Sequence, residues 1–328
     1  MPATKCATGL LMRLYWICVA AIALLAWAQF SFAQAWPEFH RTLIVTPAET
    51  VTLDVELNSG DLQVSYGRDG EVSITALARP SENAGAESSS SSLTVEQSGN
   101  HTKIRPSNDN DGGGRITALY RIDVPYRTKM ISKLNTGKQS ITGILGPVEV
   151  VTNRGDIKAA YISNGLQARI GAGNLDLQVI GGRVDVIAGS GNISCTRVPE
   201  GVSAETGDGD IALALVGPAK AVVRKGTGRI DLGGVRDSLV AETDQGNIHV
   251  KAIPHKDWLL NSASGAIRVE LPPSAKFDLD LSTKTGELQF YRDDIVGPAA
   301  KVQELHRAIR GGGVRIAVQT ESGVIAIR

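Results

Sequence analysis

Residues 151–213 read VTNRGDIKAAYISNGLQARIGAGNLDLQVIGGRVDVIAGSGNISCTRVPEGVSAETGDGDIAL, and one short motif returns in this stretch every 18 residues. Each copy holds a glycine, a polar residue, then Ile or Leu, and a second apolar residue two positions later. The glycines of these copies are Gly155, Gly173, Gly191 and Gly209. A fixed period of this length is the sequence signature of a repeat architecture.

The same motif extends in both directions from this stretch. Its glycines follow one another at intervals of 18, 18, 18, 18, 19, 18, 19 and 21 residues: Gly137, Gly155, Gly173, Gly191, Gly209, Gly228, Gly246, Gly265 and Gly286. The apolar residues that stand two positions after a repeat glycine are Ile157, Leu175, Ile193, Ile211, Ile230, Ile248, Ile267, Leu288 and Ile325. Because side chains alternate along a strand, this column and the apolar column two positions later face the same side, which we expect to be the interior.

A repeat of about 18 residues cannot bury its own apolar face, and it is shorter than a propeller blade of about 40 residues or a helix pair of about 34 residues. It is long enough to pass once around a narrow coil, with the next coil stacked about 4.8 Å above it. Stacked coils bury the shared apolar columns against one another. The sequence therefore predicts an all-β fold, a parallel β-helix or solenoid with coils of about 18 residues.

The regular period divides the chain into four parts. Residues 1–35 are expected to be a signal peptide or an N-terminal anchor, and residues 36–130 an irregular, β-rich N-terminal cap. Residues 131–290 form the regular β-solenoid. Residues 291–328 contain an insertion, with a short helix over 299–309 that ends at a run of glycines, and then the final coil.

The first 35 residues have the parts of an export signal. Lys5 and Arg13 precede an apolar stretch over residues 14–30, and Ala33-Gln34-Ala35 is a small-residue cleavage pattern. The apolar stretch also approaches the length that spans a bilayer, so an uncleaved anchor is the alternative. Either case predicts an exported chain, located in the periplasm, in the cell envelope or outside the cell, with membrane contact only if the segment is retained.

Composition excludes some classes of partner. The 34 Lys and Arg residues balance 34 Asp and Glu residues, and removal of residues 1–35 leaves 32 basic against 34 acidic residues, a net charge of −2. Without a basic surplus, nucleic acid is not an expected partner. Cys195 is the one cysteine beyond residue 35. It has no partner for an intramolecular disulfide, and its place in an inward column predicts an inert core thiol.

The motifs together resemble a known family. The repeated Ser/Thr-x-x-Gly-Asp/Asn-Ile/Leu-x-Val/Leu units, the segment YRIDVP at Tyr120–Pro125 and the terminal GGGVRIAVQTESGVIAI are similar to the putative-adhesin family of exported bacterial β-strand-repeat proteins of unknown function, relatives of autotransporter adhesin head domains. The resemblance covers Val45 to Arg328. It implies a single-stranded, right-handed parallel β-helix, and it supplies no catalytic residues.

Two rows of polar residues are candidates for chemistry. An acidic and amide row follows the repeat glycines, and its members are Asp61, Asp156, Asn174, Asn192, Asp210, Asn247 and Glu287. A pair of its carboxylates could serve glycoside hydrolysis, whereas turn chemistry explains the whole row. A hydroxyl row stands three residues before the glycines, as Thr152, Thr206, Thr243, Ser262, Thr283 and Thr320. A solvent-facing rank of threonines could bind ice or a crystalline surface, but the alternation predicts that this row faces inward and bonds to the turn.

No catalytic, metal-binding or cofactor-binding residue is predicted. The five histidines are scattered without metal-ligand spacing, and a nucleophile motif in a strand-turn-helix setting is missing. One loop, Pro254 to Trp258, combines charges with an aromatic residue outside the repeat register. His255 and Trp258 are the candidate surface-contact residues, and a decorated corner is the structural alternative for this loop.

These features predict a non-enzymatic, exported β-solenoid that presents an extended surface for binding or assembly at the cell envelope. The expected partners are a surface, glycan or protein ligand, and a second copy joined through the strand edges of a terminal coil, since unpaired strand edges favour pairing. The alternative is a polysaccharide-active lyase or hydrolase on a β-helix. Such an enzyme would need converging acids and aromatic sugar platforms, and aromatic residues make up 5% of the chain.

Overall fold

The computed structural model describes residues 38–79, 93–106, 117–295 and 303–328. These residues form strands and turns and no helix, so the described chain contains no helix that could cross a bilayer. The expected leader at residues 1–35 and residues 299–302 of the expected helix lie outside the described residues. The strands are β1 (Glu38–Ile44), β2 (Val51–Ser59), β3 (Asp61–Tyr66), β4 (Glu71–Arg79), β5 (Leu93–Ser98), β6 (His101–Pro106), β7 (Thr117–Val124), β8 (Thr128–Thr136), β9 (Gln139–Ile144), β10 (Val148–Arg154), β11 (Ile157–Ile162), β12 (Leu166–Ala172), β13 (Leu175–Ile180), β14 (Val184–Ser190), β15 (Ile193–Val198), β16 (Val202–Asp208), β17 (Ile211–Val216), β18 (Ala219–Val223), β19 (Ile230–Gly233), β20 (Leu239–Thr243), β21 (Ile248–Lys251), β22 (Trp258–Ser262), β23 (Ile267–Glu270), β24 (Phe277–Thr283), β25 (Glu287–Phe290), β26 (Glu304–Ile309), β27 (Val314–Thr320) and β28 (Val324–Ile327).

From β7 to β25, successive strands alternate between two long sheets. Sheet I has the order β1-β4-β7-β3-β9-β11-β13-β15-β17-β19-β21-β23-β28-β25. Sheet II has the order β26-β24-β27-β22-β20-β18-β16-β14-β12-β10-β8-β2-β6-β5. Neighbouring strands in the regular part are parallel, and β4, β5 and β26 each pair antiparallel near an end of their sheet. The prediction of an all-β fold built from parallel strands is confirmed.

The strand register equals the sequence period. Val148 pairs with Leu166 in sheet II, and Ile157 pairs with Leu175 in sheet I, which in turn pairs with Ile193. Each of these pairs joins residues 18 positions apart, so identical motif positions lie on adjacent strands. Each motif copy therefore contributes one strand to each sheet.

The inward columns of the motif form one hydrophobic core. Eight of the isoleucines and leucines two positions after the repeat glycine are at most 1% exposed: Ile157, Leu175, Ile193, Ile211, Ile230, Ile248, Ile267 and Ile325. They share one cluster with inward residues of sheet II such as Val150 and Val186. Burial of a side chain of this size stabilises a fold by about 1.5–3 kcal/mol, so the stacked columns are the main source of stability.

The repeat glycines stack directly on one another at one corner. At Gly155 the backbone has a φ of +137°, and an added Cβ would lie 1.8 Å from the carbonyl oxygen of Gly137. Both the left-handed backbone and the close approach exclude a side chain. The repeat glycines are therefore a packing requirement of the coil corners.

The column of isoleucines and leucines two positions after the repeat glycine has one polar member. Gln139 stands two residues after Gly137 and is 1% exposed. Ser132 Oγ donates a hydrogen bond of 2.5 Å to Gln139 Oε1, while Gln139 Nε2 donates to Thr152 Oγ1 at 2.8 Å and to the Val151 carbonyl at 3.2 Å. A buried amide is tolerated when its donors and acceptor are satisfied, which is the case here.

The N-terminal region is already in coil register. Leu57 of β2 pairs with Leu134 of β8, and Leu62 of β3 pairs with Gln139 of β9. Strand β6 pairs parallel with β2, and strand β7 pairs parallel with β3, which adds a further parallel layer at this end. Strand β5 then pairs antiparallel with β6, and strand β4 pairs antiparallel with β7. Antiparallel strands at this end occupy edges that would otherwise be open, as a cap does.

Two features of the C-terminal region were not predicted from the sequence. The last coil along the chain consists of β27 and β28. It lies between the coil of β22 and β23 on one side and the coil of β24 and β25 on the other. Gly323 therefore stacks on Gly265, and Gly286 stacks on Gly323. Residues 314–328 are the final coil along the chain, but they are not the outermost coil of the described stack. The helix expected over 299–309 was wrong for its described part, since Glu304–Ile309 is strand β26, paired antiparallel with β24. An open edge of sheet II offers this segment backbone partners that outweigh its weak helical pattern.

Candidate functional site

One corner of the coils carries an outward row of side chains on left-handed backbone. We name this row the corner ridge; it consists of Tyr161, Val179, Arg197 and Leu215, whose φ angles are 57°, 56°, 61° and 56°. They stand six residues after successive repeat glycines. Tyr161 is 63% exposed and Leu215 is 45% exposed. Arg197 is also exposed and Val179 is half-buried, so the ridge lies on the surface of four consecutive coils.

The strand pairing explains how the ridge arises. Ala160 pairs with Gln178 and Ile162 pairs with Ile180, and the residue between them takes no part in the ladder. Tyr161 thus points outward directly after Ala160, and Ile162 then turns into the core. The left-handed residue bends each coil at the same place, as bulges do in other sheets.

The corner ridge is strained. A residue with a Cβ in this conformation costs about 1–2 kcal/mol, which glycine avoids. Gly143 and Gly234 occupy the equivalent position of the coils on either side, with φ of 75° and 64°. Four side chains therefore stand where glycine would fold with less strain, and strain of this kind is concentrated at functional sites in proteins. Sequence reasoning missed the ridge because its members share no residue type; the two aligned glycines were the available signal.

Three tyrosines gather at the N-terminal end of the corner ridge. Tyr66 lies beside Gly143, where an added Cβ would be 3.1 Å from the Tyr66 Cβ, and Tyr161 lies on the next coil. The Tyr126 ring meets the Tyr66 ring edge to face, with centroids 5.7 Å apart, and its hydroxyl is 3.2 Å from Ser163 Oγ. Tyr66 is 52% exposed and Tyr126 is 41% exposed. We name Tyr66, Tyr126 and Tyr161 the tyrosine cluster.

The acidic and amide row forms a hydrogen-bonded ladder. In each step, a side-chain Oδ1 accepts the backbone N–H of the equivalent residue on the neighbouring coil. The acceptor and donor pairs are Asp61 with Lys138 (2.9 Å), Asp156 with Asn174 (3.0 Å), Asn174 with Asn192 (3.0 Å), Asn192 with Asp210 (2.9 Å), Asp210 with Arg229 (2.7 Å) and Asn247 with Ala266 (2.8 Å). The interpretation as turn chemistry is confirmed for these residues.

The same ladder bears on glycoside chemistry. Asp156 and Asp210 are three coils apart, which at about 4.8 Å per coil is a separation of about 14 Å. Paired carboxylates of glycosidases lie about 5–9.5 Å apart. These two acids are therefore too distant to act on one glycosidic bond.

The hydroxyl row faces inward, as expected. Its six members are at most 7% exposed. Four of the hydroxyls donate a hydrogen bond to the carbonyl oxygen of a repeat glycine on an adjacent coil. The donor and acceptor pairs are Thr206 with Gly191 (3.1 Å), Thr243 with Gly228 (3.4 Å), Ser262 with Gly246 (3.0 Å) and Thr320 with Gly265 (3.3 Å). The same oxygens of Thr243, Ser262 and Thr320 accept the N–H of the glycine three residues later. The hydroxyl row therefore stabilises the glycine turns through hydrogen bonds to their backbone, and it does not form a threonine surface in contact with solvent.

The structure separates the two candidate contact residues of the 254–258 loop. His255 is exposed. Trp258 is 1% exposed, so its prediction as a surface-contact residue was wrong. It begins β22 in an inward position, and its Nε1–H donates to the Asp237 carbonyl at 3.3 Å. The alternation of β22 buries the indole, and a single hydrogen bond satisfies its polar atom.

Cys195 is a core residue. Its side chain is fully buried in the inward column of β15. Burial, with a smaller contribution from the charge of Asp176, raises the pKa of the Cys195 thiol to about 12. A thiol that stays protonated is neither a nucleophile nor a metal ligand, which agrees with the predicted inert thiol.

Outward charges pair between coils of sheet I. His249 Nδ1 lies 3.5 Å from Asp231 Oδ1, and its Nε2 lies 3.2 Å from Glu270 Oε1. Lys251 Nζ lies 3.5 Å from Glu270 Oε2. Partial burial raises the pKa of Glu270, but the hydrogen bond from His249 and the charges of His249 and Lys251 together hold it below its usual value. Half-exposed pairs of this kind contribute about 0–1 kcal/mol each.

Comparison with known proteins identifies the family. A family model described as Toastrack DUF4097 matches residues 122–328, which is more than half of the chain. The chain belongs to the Toastrack DUF4097 family. The Toastrack match includes the whole corner ridge and Tyr126, and Tyr66 lies before it. The comparison with curated proteins found no match.

Solved structures give weaker likenesses to this Toastrack chain. A "putative cell adhesion protein" from Clostridium sporogenes is 12% identical, with 89% of this chain and 99% of that chain covered and a TM-score of 0.23. A "putative adhesin" from Bacteroides fragilis is 12% identical, with 89% and 97% covered and a TM-score of 0.34. A "putative lipid binding protein" from Parabacteroides distasonis is 15% identical, with 89% and 96% covered and a TM-score of 0.34. The family assignment rests on the Toastrack match.

A buried arginine side chain connects several segments in the C-terminal part of the Toastrack region. The Arg292 side chain is 6% exposed. Its guanidinium donates hydrogen bonds of 2.9–3.2 Å to the backbone carbonyls of residues 271–273, and it lies 5.7 Å from the centre of the Phe277 ring. It also binds Asp294 through two hydrogen bonds of 2.8 and 2.9 Å. The hydrogen bond from Arg292 is the main cause that lowers the pKa of Asp294 to about 2; burial opposes it, and Arg310 adds to it.

We expect this pair to make the Toastrack chain sensitive to acid. Because folding lowers the pKa of Asp294, the ionised carboxylate stabilises the folded protein. This stabilisation is fully present above the pKa of aspartate in the unfolded chain, about 3.9, and is lost as the pH falls towards 2. Asp294→Asn should therefore destabilise the protein at pH 6, and the difference from the wild type should shrink at pH 2.5. Urea unfolding of the wild type and of Asp294→Asn at both pH values measures this difference in the free energy of unfolding. Asp293→Asn, at the exposed neighbour, is the control and should change the free energy of unfolding by less than about 0.5 kcal/mol. A pH-independent effect of Asp294→Asn would contradict the assignment.

Proposed function

We propose that this Toastrack protein is an exported, adhesin-like β-solenoid that binds or assembles at the cell envelope through outward rows of side chains and carries out no catalysis. The export signal of residues 1–35 supports a location in the periplasm, in the envelope or outside the cell. In the proposed arrangement the coils are single-stranded and right-handed, and the N-terminal cap closes one end. The chemistry of the outward rows decides what the protein can bind.

The observation that carries this proposal is the corner ridge. Tyr161 and Leu215 expose large side chains on left-handed backbone, at positions where Gly143 and Gly234 have none. The core does not need these side chains, because neither is buried. A side chain that is held in solvent at a cost in backbone strain is suited to contact a partner.

The repeat favours multivalent contact. Equivalent ridge positions recur about every 4.8 Å along the stack, so a partner with its own repeat can engage several coils at once. Linked weak contacts raise the overall affinity well above that of one contact. The acids of the ladder row already accept backbone hydrogen bonds, which supports binding over hydrolysis. Assembly through terminal strand edges is the second proposed route, and β25 forms the last described strand of sheet I.

The combined variant Tyr161→Gly, Val179→Gly, Arg197→Gly and Leu215→Gly tests the proposal. We expect the wild-type protein to co-sediment with envelope fragments of the producing cell, and the combined variant to bind them at least about tenfold more weakly because a multivalent surface is lost. Its fold should persist, since glycine relieves the strain at all four positions. Circular dichroism melting checks this.

Glu149→Ala combined with Gln167→Ala is the matched control, since both residues are exposed on the outward face of sheet II. This variant should bind envelope fragments as the wild type does. If the wild type binds no envelope fraction, the proposed function is wrong. If the combined ridge variant binds unchanged, the ridge is not the contact surface.

A further inference from the structure

We infer that the tyrosine cluster is a saccharide-binding subsite, an inference that rests on the proposed binding function and names its ligand class. Four tyrosines are exposed among the described residues: Tyr66, Tyr126, Tyr161 and Tyr291. Three of them lie at one corner of neighbouring coils, although they come from positions 66, 126 and 161 of the chain. Aromatic residues are scarce in this sequence, so their concentration on one solvent-facing corner is the notable fact.

A glycine lies between two of the tyrosines along the stack. Tyr66, Gly143 and Tyr161 occupy the same corner on three consecutive coils. Two coil spacings separate Tyr66 from Tyr161 by about 9–10 Å along the stack. Gly143 adds no side chain between them, and Tyr126 connects the two coils, with its ring against Tyr66 and its hydroxyl at Ser163.

The rings are not explained by packing. Tyr161 is 63% exposed and Tyr66 52% exposed, so most of their surface stays in contact with water. Tyr161 also holds a strained φ of 57°. A rigid aromatic side chain with two torsions can bind a ligand at little cost in conformational entropy, which makes exposed tyrosines effective contact residues.

The chemistry of the cluster fits a sugar ring. A pyranose has an apolar C–H face that stacks on an aromatic ring and hydroxyls at its edge that need hydrogen-bond partners. The cluster offers ring faces together with the hydroxyls of Tyr126, Ser163 and exposed Thr142, the mixture of apolar surface and few polar groups that is typical of ligand sites.

Charge disfavours a cationic ligand, the other class that aromatic clusters bind. Arg127 follows Tyr126 and is exposed. Asp123, the nearby acid on β7, accepts a hydrogen bond of 2.6 Å from Ser65 Oγ. Arg127 balances the charge of Asp123, so these two neighbours give the cluster no negative surplus that would attract a cation, and a neutral or acidic saccharide is the favoured occupant.

The test uses the full protein and immobilised oligosaccharides: chito-oligosaccharides, β-glucan oligosaccharides and oligogalacturonates. We expect the wild type to bind at least one of these, and Tyr161→Gly to weaken that binding by about tenfold or more. Tyr66→Ala should weaken it as well. Glu149→Ala combined with Gln167→Ala is the control, because both residues are exposed on the outward face of sheet II and belong neither to the cluster nor to the corner ridge; it should leave saccharide binding unchanged. The urea midpoint of Tyr161→Gly should be no lower than that of the wild type, which separates loss of contact from loss of fold.

Two results would overturn the inference: no oligosaccharide binds the wild type, or Tyr161→Gly and Tyr66→Ala bind as the wild type does. The envelope assay distinguishes this failure from failure of the proposed function. Wild-type protein that still co-sediments with envelope fragments after periodate has destroyed their sugars would retain the proposed function and exclude the saccharide subsite. Wild-type protein that binds neither untreated fragments nor oligosaccharides would exclude both.

Discussion

Gly173→Val is expected to prevent stable folding of the coil stack, with a loss of at least about 4 kcal/mol in the free energy of unfolding. The backbone at Gly173 has a φ of +142°, and an added Cβ would lie 1.8 Å from the Gly155 carbonyl oxygen and 3.0 Å from Ile170 Cδ1. The carbonyl belongs to the backbone of the neighbouring coil, so it cannot move aside without breaking the register of that coil. A β-branched residue is also the least able to adopt this φ. Urea unfolding followed by far-ultraviolet circular dichroism measures the effect.

Gly233→Ala is the matched control for this substitution. Gly233 lies in strand β19, and an added Cβ there would meet no atom within 4 Å. The change should alter the free energy of unfolding by less than about 1 kcal/mol, with stabilisation the expected direction because alanine restricts the unfolded chain. Equal losses at Gly173 and Gly233 would mean that the glycine column is not the packing constraint.

Trp258→Ala should destabilise the protein by about 3–5 kcal/mol. The Trp258 indole is 1% exposed and is among the largest fully buried side chains. Its strand lies between those of Leu239 and Ile316, which pair with it in register, so the cavity left by truncation spans adjacent coils. The rigid stack can relax only slightly into that cavity, which places the loss at the upper end for core substitutions.

His255→Ala serves as the control for Trp258→Ala. His255 is exposed in the same loop, and its truncation should change stability by less than about 0.5 kcal/mol. Unfolding of both variants in guanidinium chloride, followed by circular dichroism, gives the comparison. A small effect of Trp258→Ala would indicate that the indole leaves the core in solution and would restore it as a surface residue.

The coil architecture was predictable because its determinants are local and repeated. The glycine at each corner and the inward pair of apolar residues recur along the regular part, and six copies also have a hydroxyl three residues before the glycine. Each copy needs the same backbone as its neighbour, so a residue such as Gly155 or Ile157 reports the geometry of the whole stack. The roles of the acidic row and of Cys195 followed from the same alternation.

The order of the terminal coils was not predictable, because copies of one motif are interchangeable partners. Gly286 follows Gly265 in sequence, yet Gly323 lies between them in the stack. A coil of either segment can pair with the coil of β22 and β23 through the same backbone groups and the same apolar columns. Chain connectivity and pairing at the strand edges decide the order of the coils. Edge pairing also explains why Glu304–Ile309 forms an edge strand, since the helical pattern of this segment is weak and β24 offers it backbone partners.

The sequence by itself determined the period, the inward columns and the glycine corners, since these depend on residues within one coil and its copy 18 positions away. Only the tertiary structure decided what the outside of the coils presents. It placed Trp258 inside, because strand alternation overrode the polar context of its loop. It brought Tyr66, Tyr126 and Tyr161 to one corner across as many as 95 residues of chain. Stacking imposes the same requirement on every coil and can therefore be read from one sequence, whereas a surface cluster depends on which coils become neighbours, and this is settled when the coils assemble.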